Sequence, residues 1–491
     1  CCYDFGELST FFVYAEGRSC FRRAKHPAIS FLLSNSCRVL SLIVDNNCLV
    51  AYAGGAEKMS PEIIGFIGIA VLLILVFLRI WVGFAMALVG FVGYFYLEGW
   101  ARAASVVGIE PYSQIASITF ATVPLFVLMG AVISNSGLGK DLYDAASKWI
   151  GGIRGGLAMA SVAACGAFAA VSGSSTATAL SIGKIAYPEM KRYNYDSYLS
   201  VGSIAAGGTV GIMIPPSLGF IVYGLITQES IGKLFMAGLI PGILEVLFYM
   251  VVIYLLCRFR PSMAPDMRDG VRPSLKEKIS SLKLTGPVVL IFLIVIGGIY
   301  FGVFTPTEAG AIGAFASLVV IFFAGRMTFH KFNNALVEAI EVTAMIVPML
   351  VGAFIFMRFI AVSGLSHMLS EIMITYGLTP AHFIALIIVL YLLLGCFFDV
   401  NAAILLTIPL LFPSVQALGI NPIWFGVIVV RLNEIGLITP PIGLNVFVIS
   451  GALNVPIGTV FRGILPFLIA DFFHIALLIA VPEISLFLTR L

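Results

Sequence analysis

Charge is scarce in this sequence: Asp, Glu, Lys and Arg make up 11% of the 491 residues, while 60% are apolar. A water-soluble domain carries about 25% charged residues, so there is too little polar material here to cover a solvent-facing surface. A mean hydropathy of +1.05 agrees. The net charge of +3, with Lys and Arg scattered, excludes a nucleic-acid-binding surface. The period-2 alternation of a membrane barrel is also missing. Beyond residue 48 cysteine is reduced to Cys165, Cys257 and Cys396, each in apolar surroundings that suit a small core residue. No disulfide framework is indicated, and no His/Cys cluster suits a transition metal. What is abundant is apolar stretches of 17 to 22 residues, each long enough to cross a bilayer as a helix. The pattern predicts an all-α polytopic membrane protein with the lipid bilayer as its solvent.

Residues 1–58 read differently. They hold Cys1, Cys2, Cys20, Cys37 and Cys48, contain no Met and show no helical periodicity. At Met59 the text changes abruptly to a spanning pattern, with Ser60 suited to cap a helix and Pro61 to its first position. We read translation as starting at Met59 and residues 1–58 as a non-native upstream or disordered segment. The basic, apolar, small-residue order of a secretory signal is not there.

Sliding the chain against itself uncovers an internal duplication. Pro188, Pro215, Pro216, Gly238 and Pro241 recur as Pro413, Pro440, Pro441, Gly463 and Pro466, all at one constant shift, that from position 188 to position 413. Ser-Gly-Leu at 136–138 recurs at 363–365, a shift longer by two, so a two-residue insertion separates the early part of the repeat from the rest. The halves run 59–257 and 286–491, joined by a charged, proline-containing linker at 258–285. Each half reads as two spans (61–78 and 80–97; 286–303 and 306–324), a third (117–134; 340–360), a broken apolar hairpin, an interrupted span and a last span. Five crossings and one re-entrant hairpin per half make the second half inverted. With the start near Met59 outside, seventeen Lys and Arg fall in inside loops and three (Arg102, Lys233 and Arg490) outside, as the positive-inside rule requires.

The helices break at matching places, which in inverted repeats points to a binding site near the bilayer midplane. In the first half Ser172, Gly173, Ser174, Ser175, Thr176 and Thr178 interrupt an apolar hairpin, and Pro215 and Pro216 fall inside a span. Consecutive prolines remove two amide donors and push the preceding Ile214 out of helix. The second half has Asp399 and Asn401 at its hairpin, then Thr439, Pro440, Pro441 and Asn445. Unwound backbone at membrane depth is tolerated only where protein buries it or it lines a cavity. Hydroxyls, an amide, a carboxylate and freed carbonyls suit a hard ion such as sodium, with Ser174, Ser175, Asp399 and Asn401 its candidate ligands, and exposed helix N-termini favour an anionic substrate. The blander reading, that small residues only permit close helix packing, is weakened by the repetition of the whole pattern. Asp399 is a functional candidate as an intramembrane carboxylate. Arg431 is the candidate for a substrate carboxylate. Arg358, near the Ser363–Gly364 turn, is read as snorkelling, and Trp81, Trp100, Trp149 and Trp424 as interfacial belt residues.

The stretches SGSSTATA at 172–179, GIMIPPS at 211–217 and EIGLITPPIGLN at 434–445 resemble the large membrane subunit of tripartite ATP-independent periplasmic (TRAP) transporters, the DctM-like permeases. The resemblance covers essentially all of 59–491. It implies a multi-pass protein of the bacterial inner membrane that works with a small four-helix membrane subunit and a soluble periplasmic substrate-binding protein. The cargo implied is an organic acid such as a C4-dicarboxylate or sialic acid, driven by a sodium gradient, with no cofactor beyond that coupling ion and no enzymatic activity. It also implies an elevator motion. The hairpins and broken helices (157–230 and 380–450) would move against a scaffold of spans (61–134 and 286–360), with the spans at 61–97 and 286–324 meeting the small subunit. One ion site then falls on Ser172 to Thr176 with the loop at Pro215–Pro216, the other on Asp399 and Asn401 with Thr439 to Pro441. A stand-alone sodium-coupled dicarboxylate or anion carrier is the main alternative. A membrane hydrolase lacks a nucleophile–base pair, Asp471 being the one possible mate for Asp399, and a passive channel is opposed by two occluding breaks.

Overall fold

The computed structural model describes residues 59–265 and 274–490, and every regular element among them is helical. The expectation for residues 1–58 lies outside that range. The first half contains α1 (Pro61–Phe77), α2 (Val82–Glu98), α3 (Trp100–Ile115), α4 (Thr122–Asn135), α5 (Leu138–Ile150), α6 (Gly156–Ser172), α7 (Ser175–Arg192), α8 (Ser197–Met213), α9 (Leu218–Thr227) and α10 (Ile231–Phe259). The second contains α11 (Leu275–Tyr300), α12 (Pro306–Phe323), α13 (Phe329–Val362), α14 (Leu365–Thr375), α15 (Pro380–Phe397), α16 (Val400–Ala417), α17 (Pro422–Ile438), α18 (Leu444–Leu453), α19 (Ile457–Ala480) and the short α20 (Glu483–Leu486).

The duplication is visible helix by helix. Moved by the shift that carries Pro188 onto Pro413, α7 coincides with α16 and α8 with α17 at both ends, while α6, α9 and α10 start within one residue of α15, α18 and α19. Moved by the slightly longer shift of the Ser-Gly-Leu match, α5 starts where α14 does, which agrees with the two-residue offset in the sequence. Local chemistry repeats too. Asp196 caps α8 by accepting from Tyr198 N at 2.8 Å, and Asn421 caps α17 by accepting from Ile423 N at 3.0 Å.

Four expectations are corrected. The stretch 98–116, read as a loop, forms α3. Its mixture of Arg102, Glu110, Pro111 and Gln114 among apolar residues hides the helix from a hydropathy reading. Its counterpart is fused with the third span into α13, a single helix of 34 residues that starts well before residue 340. The linker is shorter than 258–285, because Ser274 and Glu277 form a capping box that starts α11 at Leu275; α11 then bends by 55° between Lys283 and Thr285. Trp424 is not a belt residue: it is buried, and its indole N–H donates to the Leu478 carbonyl at 3.0 Å.

Eight helical stretches among the described residues, with α8 and α9 together counted as one, are long and apolar enough to cross a membrane, or nine with the bent α11 counted as one span. At the centre lie α8 and α17, buried throughout Leu199–Met213 and Ile423–Ile438. Helices α6, α7, α10 and α19 pack on α8, and α15 packs on α17. Outside them the halves interlock, α2 packing on α13 and α4 on α12. Large side chains such as Phe77, Phe84, Phe315 and Phe323 face outward, a surface suited to lipid or a membrane partner and not to water.

Candidate substrate and ion site

The first break is built from caps. Helix α6 stops at Gly173, which takes φ +62°, a left-handed conformation that only glycine adopts at little cost. Ser174 is extended and accepts from Ala177 N at 3.4 Å to start α7, and the hydroxyls of Ser172 and Thr178 hydrogen-bond at 2.8 Å. Helix α8 ends because Ile214 is extended before Pro215 and Pro216, and Ser217 then caps α9 through Phe220 N at 3.4 Å. The hairpin tip sits on the broken span: a Cβ on Gly173 would lie 2.8 Å from the Pro216 carbonyl oxygen. Between them is a cavity of about 10 Å³ lined by Ser172, Gly173, Pro216, Leu218, Phe126 and Val127, comparable to the space one water occupies.

The second break repeats this plan with different side chains. Asp399, the repeat counterpart of Ser174, caps α16: its Oδ2 accepts from Asn401 N at 3.1 Å and from Asn401 Nδ2 at 3.0 Å. Thr439 is extended before Pro440 and Pro441, as Ile214 is before its prolines. Cys396 Sγ lies 3.5 Å from the Thr439 carbonyl and 3.6 Å from that of Pro440, so this hairpin also rests on its own broken span. The two breaks differ in exposure. Pro215 and Pro216 are buried, whereas Pro440, Pro441 and Asp399 are exposed.

The halves meet through the residues that follow the caps. Ser175 donates to Glu434 Oε1 at 2.6 Å, and Thr176 donates to Asn445 Oδ1 at 3.2 Å. Ser175 is thus paired with Glu434 on α17, and no described hydrogen bond joins Ser174 or Ser175 to Asp399 or Asn401. Several polar atoms around these contacts are buried without a partner among the described residues: Glu434 Oε2, Asn433 Oδ1, Asn445 Nδ2 and Asn401 Oδ1. Unmet groups of this kind are costly in an interior. The carboxylate and amide oxygens are of the type a hard cation takes, while no group of three or more His, Cys, Asp or Glu among the described residues suits a transition metal.

Arg431 lies elsewhere. It is wholly buried, its Nη1 donating to Glu245 Oε1 at 2.7 Å, its Nη2 to Asp471 Oδ1 and its Nε to His474 Nδ1 at 3.1 Å. In this conformation the guanidinium is committed to two carboxylates of the protein and does not face a solute. Asp471, the one possible mate for Asp399, is instead Arg431's partner. Arg358 is anchored by Glu110 Oε1, at 2.7 Å from its Nε. Sequence reasoning passed over Glu245 and His474, and left Glu434 open between a place on a polar path and one at a helix end. The available signal was that each is an ionisable or polar group inside an apolar helix.

Residues 69–484 match the family described as tripartite ATP-independent periplasmic transporter, DctM component. The chain is 38% identical over 369 residues to a C4-dicarboxylate TRAP transporter large permease protein DctM of Pseudomonas aeruginosa, covering 75% of this chain and 85% of that protein. It is 34% identical over 400 residues to an isethionate TRAP transporter permease protein DctMQ of Oleidesulfovibrio alaskensis, covering 79% of this chain and 62%, less than two thirds, of the relative. The fold resembles the solved YdaH transporter of Alcanivorax borkumensis, with a TM-score of 0.55 at 14% identity over 78% of this chain and 89% of that one. Since the family match takes in both hairpins, both double-proline breaks and the helices that join them, the chain belongs to the DctM component family of the tripartite ATP-independent periplasmic transporters.

Proposed function

We propose that this multi-pass inner-membrane protein is the large permease of a sodium-coupled importer that receives a small organic acid from a periplasmic binding protein. The observation that carries the reading is the pair of repeat-related breaks, Ser172–Ser175 with Pro215–Pro216 and Asp399–Asn401 with Thr439–Pro441, joined across the halves by Ser175–Glu434 and Thr176–Asn445. Helix starts at Ser175 and Val400 present amide N–H groups and the positive ends of helix dipoles, which favour an acid group. Hydroxyl, amide and carboxylate oxygens beside them supply ligands for sodium. The halves work as inverted repeats, with the hairpin-bearing part moving as an elevator against the outer helices. A small membrane subunit covers part of the exposed apolar surface. The relatives named for C4-dicarboxylate and for isethionate leave the cargo at the level of a small organic acid.

Uptake by proteoliposomes holding this chain and its small partner, with and without an inward sodium gradient and the cognate binding protein, tests the reading. Uptake of a labelled dicarboxylate or sialic acid that needs both is expected. Sodium-driven uptake indifferent to the binding protein would make the chain a stand-alone carrier, and uptake indifferent to sodium would remove the coupling ion.

A further inference from the structure

Inside the helical core the buried charges do not balance. Glu245 on α10, Asp471 on α19 and Arg431 on α17 are each fully enclosed, so two carboxyls share one guanidinium. His474 accepts from Arg431 through Nδ1 at 3.1 Å, which makes it the neutral tautomer with its proton on Nε2 and adds no charge. Tyr249 on α10 donates to Asp471 Oδ1 at 2.6 Å, and Thr209 on α8 lies 3.1 Å from Glu245 Oε1 and 3.0 Å from the Tyr249 oxygen. Glu434, one turn further along α17, is another enclosed carboxyl, bonded to Ser175. It supplies no compensating positive charge. With Glu245 and Asp471 both ionised, the cluster would hold an uncompensated negative charge away from water, which membrane interiors disfavour strongly.

The second oxygen of each carboxyl, Glu245 Oε2 and Asp471 Oδ2, is buried and has no hydrogen-bond partner among the described residues. These are the atoms on which a proton would sit. A metal cation fits poorly, because both carboxylates already face the guanidinium, whose like charge would repel it. We propose that Glu245 and Asp471, bridged by Arg431, together hold one exchangeable proton, forming a proton-binding site between α10 of the first half and α19 of the second, apart from the hairpin tips. Tyr249 and His474 are related by the repeat shift, so the site is built from repeat-equivalent faces of α10 and α19. It also touches α17, the helix that carries Glu434 and ends at the second break. Protonated, the cluster is neutral and Arg431 holds both helices. Deprotonated at higher pH, it turns an extra negative charge toward Glu434.

Infrared spectroscopy of the purified chain in lipid nanodiscs tests this without reference to any transported solute. The expected result is a protonated-carboxyl stretch at neutral pH that shifts in heavy water and is lost in Glu245→Gln or Asp471→Asn. Tyr249→Phe, which removes a hydroxyl beside both carboxyls, should shift the band, and Glu434→Gln should leave that band in place, removing only a separate stretch where the Glu434 carboxyl is itself protonated. If both carboxamide variants fail to fold, these last two decide the matter alone. Absence of the band at neutral pH, or a band that Tyr249→Phe does not move and Glu434→Gln abolishes, would overturn the proposal.

Discussion

Gly173 shows how one residue sets the shape of the first hairpin. Its φ of +62° costs a side-chain-bearing residue roughly 1–2 kcal/mol, and a Cβ there would also press on the Pro216 carbonyl at 2.8 Å. Gly137 takes φ +82° with nothing within 4 Å of its Cβ position. Gly137→Ala should therefore lower the thermal midpoint yet keep uptake, whereas Gly173→Ala should lose uptake as well; equal uptake in the two variants would separate the tip contact from function. At Asp399 the cap and the charge can be parted, because Asn caps a helix about as well as Asp. Asp399→Asn should leave the melting curve nearly unchanged while weakening sodium activation, and a variant with unaltered sodium response would remove Asp399 from the ion site.

The broken spans are element-scale devices. Each is a helix stopped by a pre-proline residue and restarted on the far side, with Ile214 and Thr439 in equivalent places. Pro215→Ala restores one of the two missing amide donors and moves the pre-proline restriction from Ile214 to position 215, so α8 can lengthen by about a residue and displace the break. Uptake should drop on the order of tenfold, and Pro440→Ala should act in the same direction although its surroundings are exposed. Wild-type rates in both variants would mean that the second proline of each pair and the tertiary contacts hold the breaks without the first. The proline motifs made these elements legible because their chemistry is local. Helix α3 was not legible, since a helix that mixes charged and polar residues with apolar ones carries no spanning pattern, and it has no side-chain cap.

For the whole molecule, the charge cluster joins α10, α17 and α19 across the two halves. Removing one partner of a buried ion pair strands the others, a loss of about 3–5 kcal/mol. Arg431→Gln is expected to lower the thermal midpoint of the detergent-solubilised protein sharply. Arg431→Gln combined with Glu245→Gln and Asp471→Asn should recover part of the loss. A triple variant no more stable than the single one would show that the hydrogen-bond geometry, and not the stranded charge, governs stability. The interlocking of α2 with α13 and α4 with α12 spreads such a loss through the molecule, because each half packs helices against the other.

Much of this protein follows from the sequence alone, for reasons that are local or periodic. Apolar runs of spanning length require a bilayer, consecutive prolines require a break, and matching positions at one constant shift require two copies of one unit. Tertiary structure alone decided which side chains answer one another. Ser175 was recognisable in its motif, but its partner Glu434 lies 259 positions away. Arg431 suited a substrate carboxylate until the packing of α10 and α19 against α17 supplied two carboxylates of the protein's own. Such pairings depend on how the two repeats dock, and no spacing within either repeat records that geometry.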